Sequence, residues 1–243
     1  MERQQFVRYG ALFGFFLFAL PLAAQEPVTI HVTVAPAASK AKKAPPDSGN
    51  VAAWLVPLDA AANSATSATS AKAEPLIIQK NKMFDPHVTV VQVGSSIAFP
   101  NEDPFFHNVF SLYNGKRFDL GLYEAGTTRT LRFDKLGVSY LFCNIHENMS
   151  AVVIAVDTPY YGVSDHSGTI QIADVPNGRY AFHAFYERST ADQLKSLEHI
   201  VTIAAGSRSI DGVQVLESPD VTLAHKNKYG EDYVPPPSSG YGP

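Results

Sequence analysis

Cys143-Asn144-Ile145-His146-Glu147-Asn148-Met149 gathers the chain's one cysteine, a histidine and a methionine into a C-x2-H-x2-M run. A thiolate, an imidazole and a thioether at this spacing can reach one ion. The mixture suits copper, which favours a His2Cys trigonal set with a weak, long axial Met. The run is one histidine short of that set. Upstream, Phe99-Pro100-Asn101-Glu102-Asp103-Pro104-Phe105-Phe106-His107-Asn108-Val109 supplies it at the end of a strand-like stretch, where a second loop can lean over the first. The expected metal ligands are therefore His107, Cys143, His146 and Met149, holding one copper per chain. Zinc fits less well, because structural zinc sites collect Cys and His ligands rather than a single Cys with a Met. A buried, inert thiol is the other reading of a lone cysteine, but the ligand-type residues flanking Cys143 favour a metal.

Around these two stretches the sequence reads as all-β. It has 45% hydrophobic residues, 16 Gly and 17 Pro, many β-branched and aromatic side chains, and no extended helical apolar period after the leader. Strand-like runs occur at Leu76–Gln79, Val88–Val93, Ser95–Phe99, Thr128–Phe133, Val138–Phe142 and Ala151–Asp157, with turns at Gly94, Gly115, Gly126 and Gly137. Together they predict a β-sandwich over 75–157. The Ala/Ser/Thr-rich stretch before it, 61–74, has nothing to bury and reads as a linker. Two earlier runs, Val28–Val34 and Val51–Val56, cannot stand alone, since an isolated strand pair is marginal in water. Four later ones, at Thr169–Ala173, Arg179–Tyr186, His199–Ala204 and Gly212–Leu216, make only a thin sandwich. Joining 25–60 to 158–217 solves both problems and predicts a second, smaller β-sandwich into which the first is inserted. The polar, Pro/Ser/Gly-rich stretch 218–243 reads as a disordered tail.

Residues 1–24 have the pattern of a secretory signal peptide. Arg3 and Arg8 precede the apolar run Ala11–Leu20, and Pro21-Leu22-Ala23-Ala24 places small residues before a cleavage point after Ala24. The apolar run is too short to cross a bilayer comfortably. A periplasmic or secreted protein with no membrane span in the mature chain is expected, and in an oxidising compartment an unpaired cysteine persists when a metal holds it. A net charge of −4 offers no basic field for nucleic acid.

The 75–157 stretch resembles the cupredoxins, the Greek-key β-sandwich family of blue-copper electron carriers. Its ligand loop has the short spacing of amicyanin rather than the longer loop of plastocyanin, and His107-Asn108-Val109 is similar to the first-histidine motif of amicyanin and pseudoazurin. The resemblance implies a type 1 copper site with the four ligands above, and an Asn108 that ties the two ligand loops together from outside the ligand set. It also implies one-electron transfer between protein redox partners. Glu147 stands where amicyanin-like loops carry proline, which loosens the loop and puts a carboxylate beside His146, the expected electron exit. The outer sandwich resembles the carboxypeptidase regulatory-like β-sandwiches through Ser167-Gly168-Thr169-Ile170-Gln171-Ile172 and Asp174-Val175-Pro176-Asn177-Gly178-Arg179-Tyr180. The combination is similar to exported bacterial proteins labelled plastocyanin-like or methylamine-utilisation proteins, a label that establishes no role in amine oxidation.

Two other functions fit the same residues: copper storage or delivery in the cell envelope, and partner binding by the outer sandwich. No enzyme is expected. The ligand set leaves no open position for a substrate, and no nucleophile accompanies Glu102 and Asp103, whose Asn-Glu-Asp-Pro setting is a turn composition. His87, in Phe84-Asp85-Pro86-His87, competes with His107 for the upstream ligand but begins a strand and lacks the following Asn. His183 reads as a sheet-face residue, and His31, His166, His199 and His225 show no ligand spacing. Phe105 and Phe106 are candidates for a water shield, an apolar docking face or ordinary core.

Overall fold

A computed structural model describes residues 26–35, 47–59, 74–112 and 115–233. The expected signal peptide, nearly all of the expected linker and the last residues of the chain lie outside the described residues. Among those described the fold is all-β, as the composition predicts, with one short helix.

Strand β1 (Val28–Ala35) buries Val28, Ile30, Val32 and Val34 and turns the residues between them outward, the period of two seen in its sequence. After β2 (Ala52–Pro57) come β3 (Ile78–Lys80), β4 (Met83–Asp85), β5 (Val88–Gln92), β6 (Ser96–Pro100), β7 (His107–Ser111), β8 (Phe118–Tyr123), β9 (Thr128–Arg132), β10 (Gly137–Phe142) and β11 (Ser150–Val156). The chain continues through β12 (Tyr161–Val163), β13 (Thr169–Ile172), β14 (Gly178–Phe185), helix α1 (Ala191–Ser196), β15 (His199–Ile203) and β16 (Ser209–Leu216). The short α1 carries no buried residue, so its sequence has no apolar stripe to betray it; a capping box made by Thr190 and Gln193 starts it instead.

β1 runs between β13, antiparallel, and β16, parallel. β2 lies in a second sheet, ordered β12-β2-β14-β15. Both sheets combine a strand from before residue 75 with strands from after residue 157, and they share a core that includes Val28, Ile30, Leu55, Tyr180, Phe182 and Ile203. The intervening chain forms a five-stranded sheet, β5-β11-β10-β7-β8, and the pairs β6-β9 and β3-β4. Its core includes Ile97, Phe99, Val109, Phe133, Leu141 and Val153.

Strand β11 explains how the two parts meet. Ala151, Val153 and Ala155 face the core that holds Cys143, whereas Val152, Ile154 and Val156 join Val88, Val90, Ala52 and Phe185 in a separate apolar cluster. A strand covered on both faces needs an unbroken apolar run. Ala151–Val156 is such a run, and the alternation that would expose one face to water is missing from it.

One expectation needs correcting. Residues 218–233 carry neither helix nor strand, but they are not a free tail: His225 stacks on Phe142, Lys228 pairs with Asp119, and Tyr233 bonds to the Cys143 carbonyl. Composition concealed this because the segment is held by a few polar and aromatic contacts spaced along a Pro- and Asn-containing stretch, not by an apolar period.

Candidate metal centre

The site begins with sheet register. β10 pairs antiparallel with β7 at Phe142 opposite Phe110, so the residue that follows β10 emerges beside the start of β7. There, Cys143 Sγ lies 3.7 Å from His107 Nδ1 and 3.5 Å from His146 Nδ1. These three donor atoms all fall within 4.8 Å of one another. His107 and Cys143 are fully buried, and His146 is half-buried. The loop closes on itself: Cys143 N–H donates to the Met149 carbonyl and Met149 N–H to the His146 carbonyl, each at 3.1 Å. Met149 is folded back, fully buried, into the apolar cluster that contains Cys143, and Glu147 stands exposed.

His107 is oriented by a residue the sequence reading treated only as part of a turn. Its Nε2–H donates to Asp103 Oδ2 at 2.8 Å. That carboxylate also accepts the N–H groups of Asn81, at 2.7 Å, and Lys82, at 2.9 Å, and is itself buried. Fixing the proton on Nε2 leaves the Nδ1 lone pair facing the Cys143 sulfur, the state in which imidazole binds a metal. Burial pushes the Asp103 carboxyl up, but the Lys82 N–H, the His107 ring and the Asn81 N–H outweigh it and hold the group below its ordinary value. An acid four residues before a candidate ligand was the one signal in the sequence, and turn chemistry explained it equally well.

The sulfur is poised in two opposing ways. Burial pushes the Cys143 thiol up, while the backbone N–H groups of Asn108, Ile145 and His146 favour the thiolate. A cation between the donors would add to the second effect and displace the proton. Burial, followed by the nearby His107 and Lys82, pulls His146 below the ordinary histidine value, which keeps its ring neutral and able to ligate.

The Asn108 backbone N–H favours the Cys143 thiolate. The Asn108 side-chain amide turns the other way, donating to Asp119 Oδ1 at 2.7 Å and the Gly121 carbonyl at 2.9 Å, so it braces β7 against β8. Phe105 packs against both imidazoles, with ring centroids 5.2 Å from His107 and 5.7 Å from His146. Phe105 and Phe106 remain 36% and 50% exposed, which removes ordinary core packing as their role. His87 is not at the site: Glu187 and the Ser150 carbonyl bind its ring nitrogens. His183 stacks on Trp54 and pairs with Glu198 on the outer sandwich.

No protein-family model and no curated protein matches the chain. Among solved structures it is similar to a purple cupredoxin from Nitrosopumilus maritimus, at 23% identity over 34% of this chain and 100% of that one, with a TM-score of 0.32. It is similar to a reduced amicyanin variant at 18% identity, covering 37% of this chain and 90% of the other, TM-score 0.32. A copper-containing nitrite reductase from Thermus scotoductus aligns at 25% identity over 42% of this chain and 27% of its own, TM-score 0.33. The residues brought together, two imidazoles and a thiol with Phe105 packed against both rings, can hold a metal ion.

Proposed function

We propose that this protein is an exported mononuclear type 1 copper protein that carries single electrons between protein partners. The observation that supports this most directly is the convergence of His107 Nδ1, Cys143 Sγ and His146 Nδ1 to within 4.8 Å of one another. The donor set passes a chemical test of fit. A thiol with two imidazoles matches the ligand preference of copper, and Met149, three residues after His146 and buried in the same cluster as Cys143, would offer a thioether as a further, weak donor.

Copper bound there supplies a one-electron couple. The chain does the rest. Asp103 and the N–H groups around the sulfur hold the donors in place without metal, so little has to move between oxidation states. Phe105 covers both imidazoles and limits water. Half-buried His146, with exposed Phe106 and Ile145 on the neighbouring loop segments, is the edge through which an electron leaves. We read 75–157 as a cupredoxin module inserted in a carboxypeptidase regulatory-like sandwich, and the protein as a carrier rather than an enzyme, a reading supported by the number of its own side chains available as donors: His107, Cys143, His146 and Met149.

Titration of the metal-free protein with copper is expected to produce one equivalent of an intense visible thiolate-to-copper band and a reversible voltammetric couple. Cys143→Ser should remain colourless. A wild-type protein that stays colourless and redox-inactive with copper sinks the proposal, and rapid handover of the metal to an acceptor protein without electron exchange would support storage or delivery in its place.

A further inference from the structure

We infer that the segment 218–233 is a strap in which His225, Lys228 and Tyr233 are positioning residues for the Cys143 loop. Only the metal-dependent half of the test below rests on the copper reading.

The strap is rooted in the outer sandwich, where Ser218 N–H donates to the Arg188 carbonyl at 2.8 Å and Ser189 Oγ–H to the Leu216 carbonyl at 2.6 Å. It then meets three consecutive residues of the ligand stretch. The His225 ring stacks on Phe142, with centroids 3.8 Å apart and planes 27° from parallel. Tyr233 O–H donates to the Cys143 carbonyl at 2.8 Å, and Lys228 N–H donates to Asn144 Oδ1 at 2.9 Å. With the hydroxyl proton committed to Cys143, His225 Nδ1–H donates to the Tyr233 oxygen at 3.2 Å, leaving a lone pair on His225 Nε2, a buried atom without a hydrogen-bond partner.

The same lysine reaches the other ligand stretch. Lys228 Nζ–H donates to Asp119 Oδ2 at 2.8 Å, and Asp119 Oδ1 accepts from Asn108 Nδ2, the residue after His107. One residue therefore ties the Cys143 side to the His107 side, from a segment anchored in the other sandwich. The two bonds internal to the loop, Cys143 to Met149 and Met149 to His146, leave the Cys143 carbonyl and the Asn144 side chain to the strap. Each such bond shifts a local opening equilibrium by roughly fivefold.

The test uses the full chain. In metal-free Lys228→Ala/Tyr233→Phe, alkylation of Cys143 by iodoacetamide is expected to accelerate by about tenfold or more, with faster amide exchange confined to 142–149. Lys228→Arg with Tyr233 intact should stay near wild type, and so should Asp220→Asn, a substitution at an exposed residue of the same segment. With copper bound, the double variant should show a shifted visible band and a shifted reduction potential that Asp220→Asn does not. Labelling within about twofold of wild type would overturn the strap, as would equal acceleration in β1 and β2, which would mark general loosening. If labelling accelerates as expected while wild type takes up no copper, the strap stands and the copper reading falls.

Discussion

At the scale of single residues the site depends on who holds the proton of His107. Replacing Asp103 by Ala leaves the His107 Nε2–H and the N–H groups of Asn81 and Lys82 without their acceptor in a buried place. A loss of about 2–4 kcal/mol in unfolding free energy is expected, measured by urea denaturation of the metal-free protein. The sign with pH follows from the lowered Asp103 carboxyl. Its stabilisation is present above the unfolded value of 3.8 and is lost as pH falls through the lower folded value, so wild type should lose stability on acidification more steeply than Asp103→Asn. Glu147 acts on the couple itself. With copper held as proposed, its exposed carboxylate would favour the more positive metal state, and Glu147→Gln should raise the reduction potential modestly, since solvent screens the charge; an identical potential by voltammetry would discard this role. His107, Cys143 and His146 were readable from sequence because donor type and close spacing are local properties. Asp103 was not, because the same residue suits a turn whether or not an imidazole lies behind it.

At the scale of elements, the turn between β12 and β13 joins the later half of the outer sandwich to its first strand. Gly168 has φ +84°, and a Cβ there would lie 2.0 Å from the Val32 carbonyl oxygen, while its own carbonyl accepts Val32 N–H at 2.8 Å. Backbone cannot yield as a flexible side chain can. Gly168→Ala is therefore expected to cost about 3 kcal/mol or more and to lower the thermal midpoint of the metal-free protein, with Gly206→Ala, where no atom lies within 4 Å, as the milder comparison. Most strands of the outer sandwich were visible as strand-like runs, and so were β5, β6, β9, β10 and β11, but the three-residue β4 and β12 are too short to show a period. β7 and β8 were not: every residue of β7 is buried, including His107, Asn108 and Ser111, so polar side chains interrupt the apolar signal where the site is built.

At the scale of the whole molecule, two of the contacts that join the sandwiches bear on stability. One is the apolar cluster of Ala52, Val88, Val90, Val152, Ile154, Val156 and Phe185. The other is the ion pair of His87 with Glu187, 2.8 Å apart, in which the second ring nitrogen donates to the Ser150 carbonyl at 3.1 Å. The Glu187 hydrogen bond raises His87 above the ordinary value of 6.5 despite its burial. A raised histidine stabilises fully below the unfolded value, and the contribution is lost as pH rises through the folded one. Wild type should therefore lose stability relative to Glu187→Gln as pH rises above the unfolded value of 6.5, read from denaturation midpoints on the acid and alkaline sides of it; parallel curves would remove the pair as a pH-dependent link. Among the described residues no helix is long and apolar enough to cross a membrane.

The sequence alone determined the all-β character, the strands with apolar runs and the donors of the candidate metal centre, because residue type and a period of two are carried by neighbouring positions. Tertiary structure alone decided which acid orients His107, that His87 serves the joint and not the site, that β1 lies parallel to β16, and that 218–233 returns to the ligand loop. Those outcomes rest on partners far apart in the chain, 90 residues for Tyr233 with Cys143 and 100 for His87 with Glu187. A polar side chain has many possible partners until the packing of distant strands leaves it one.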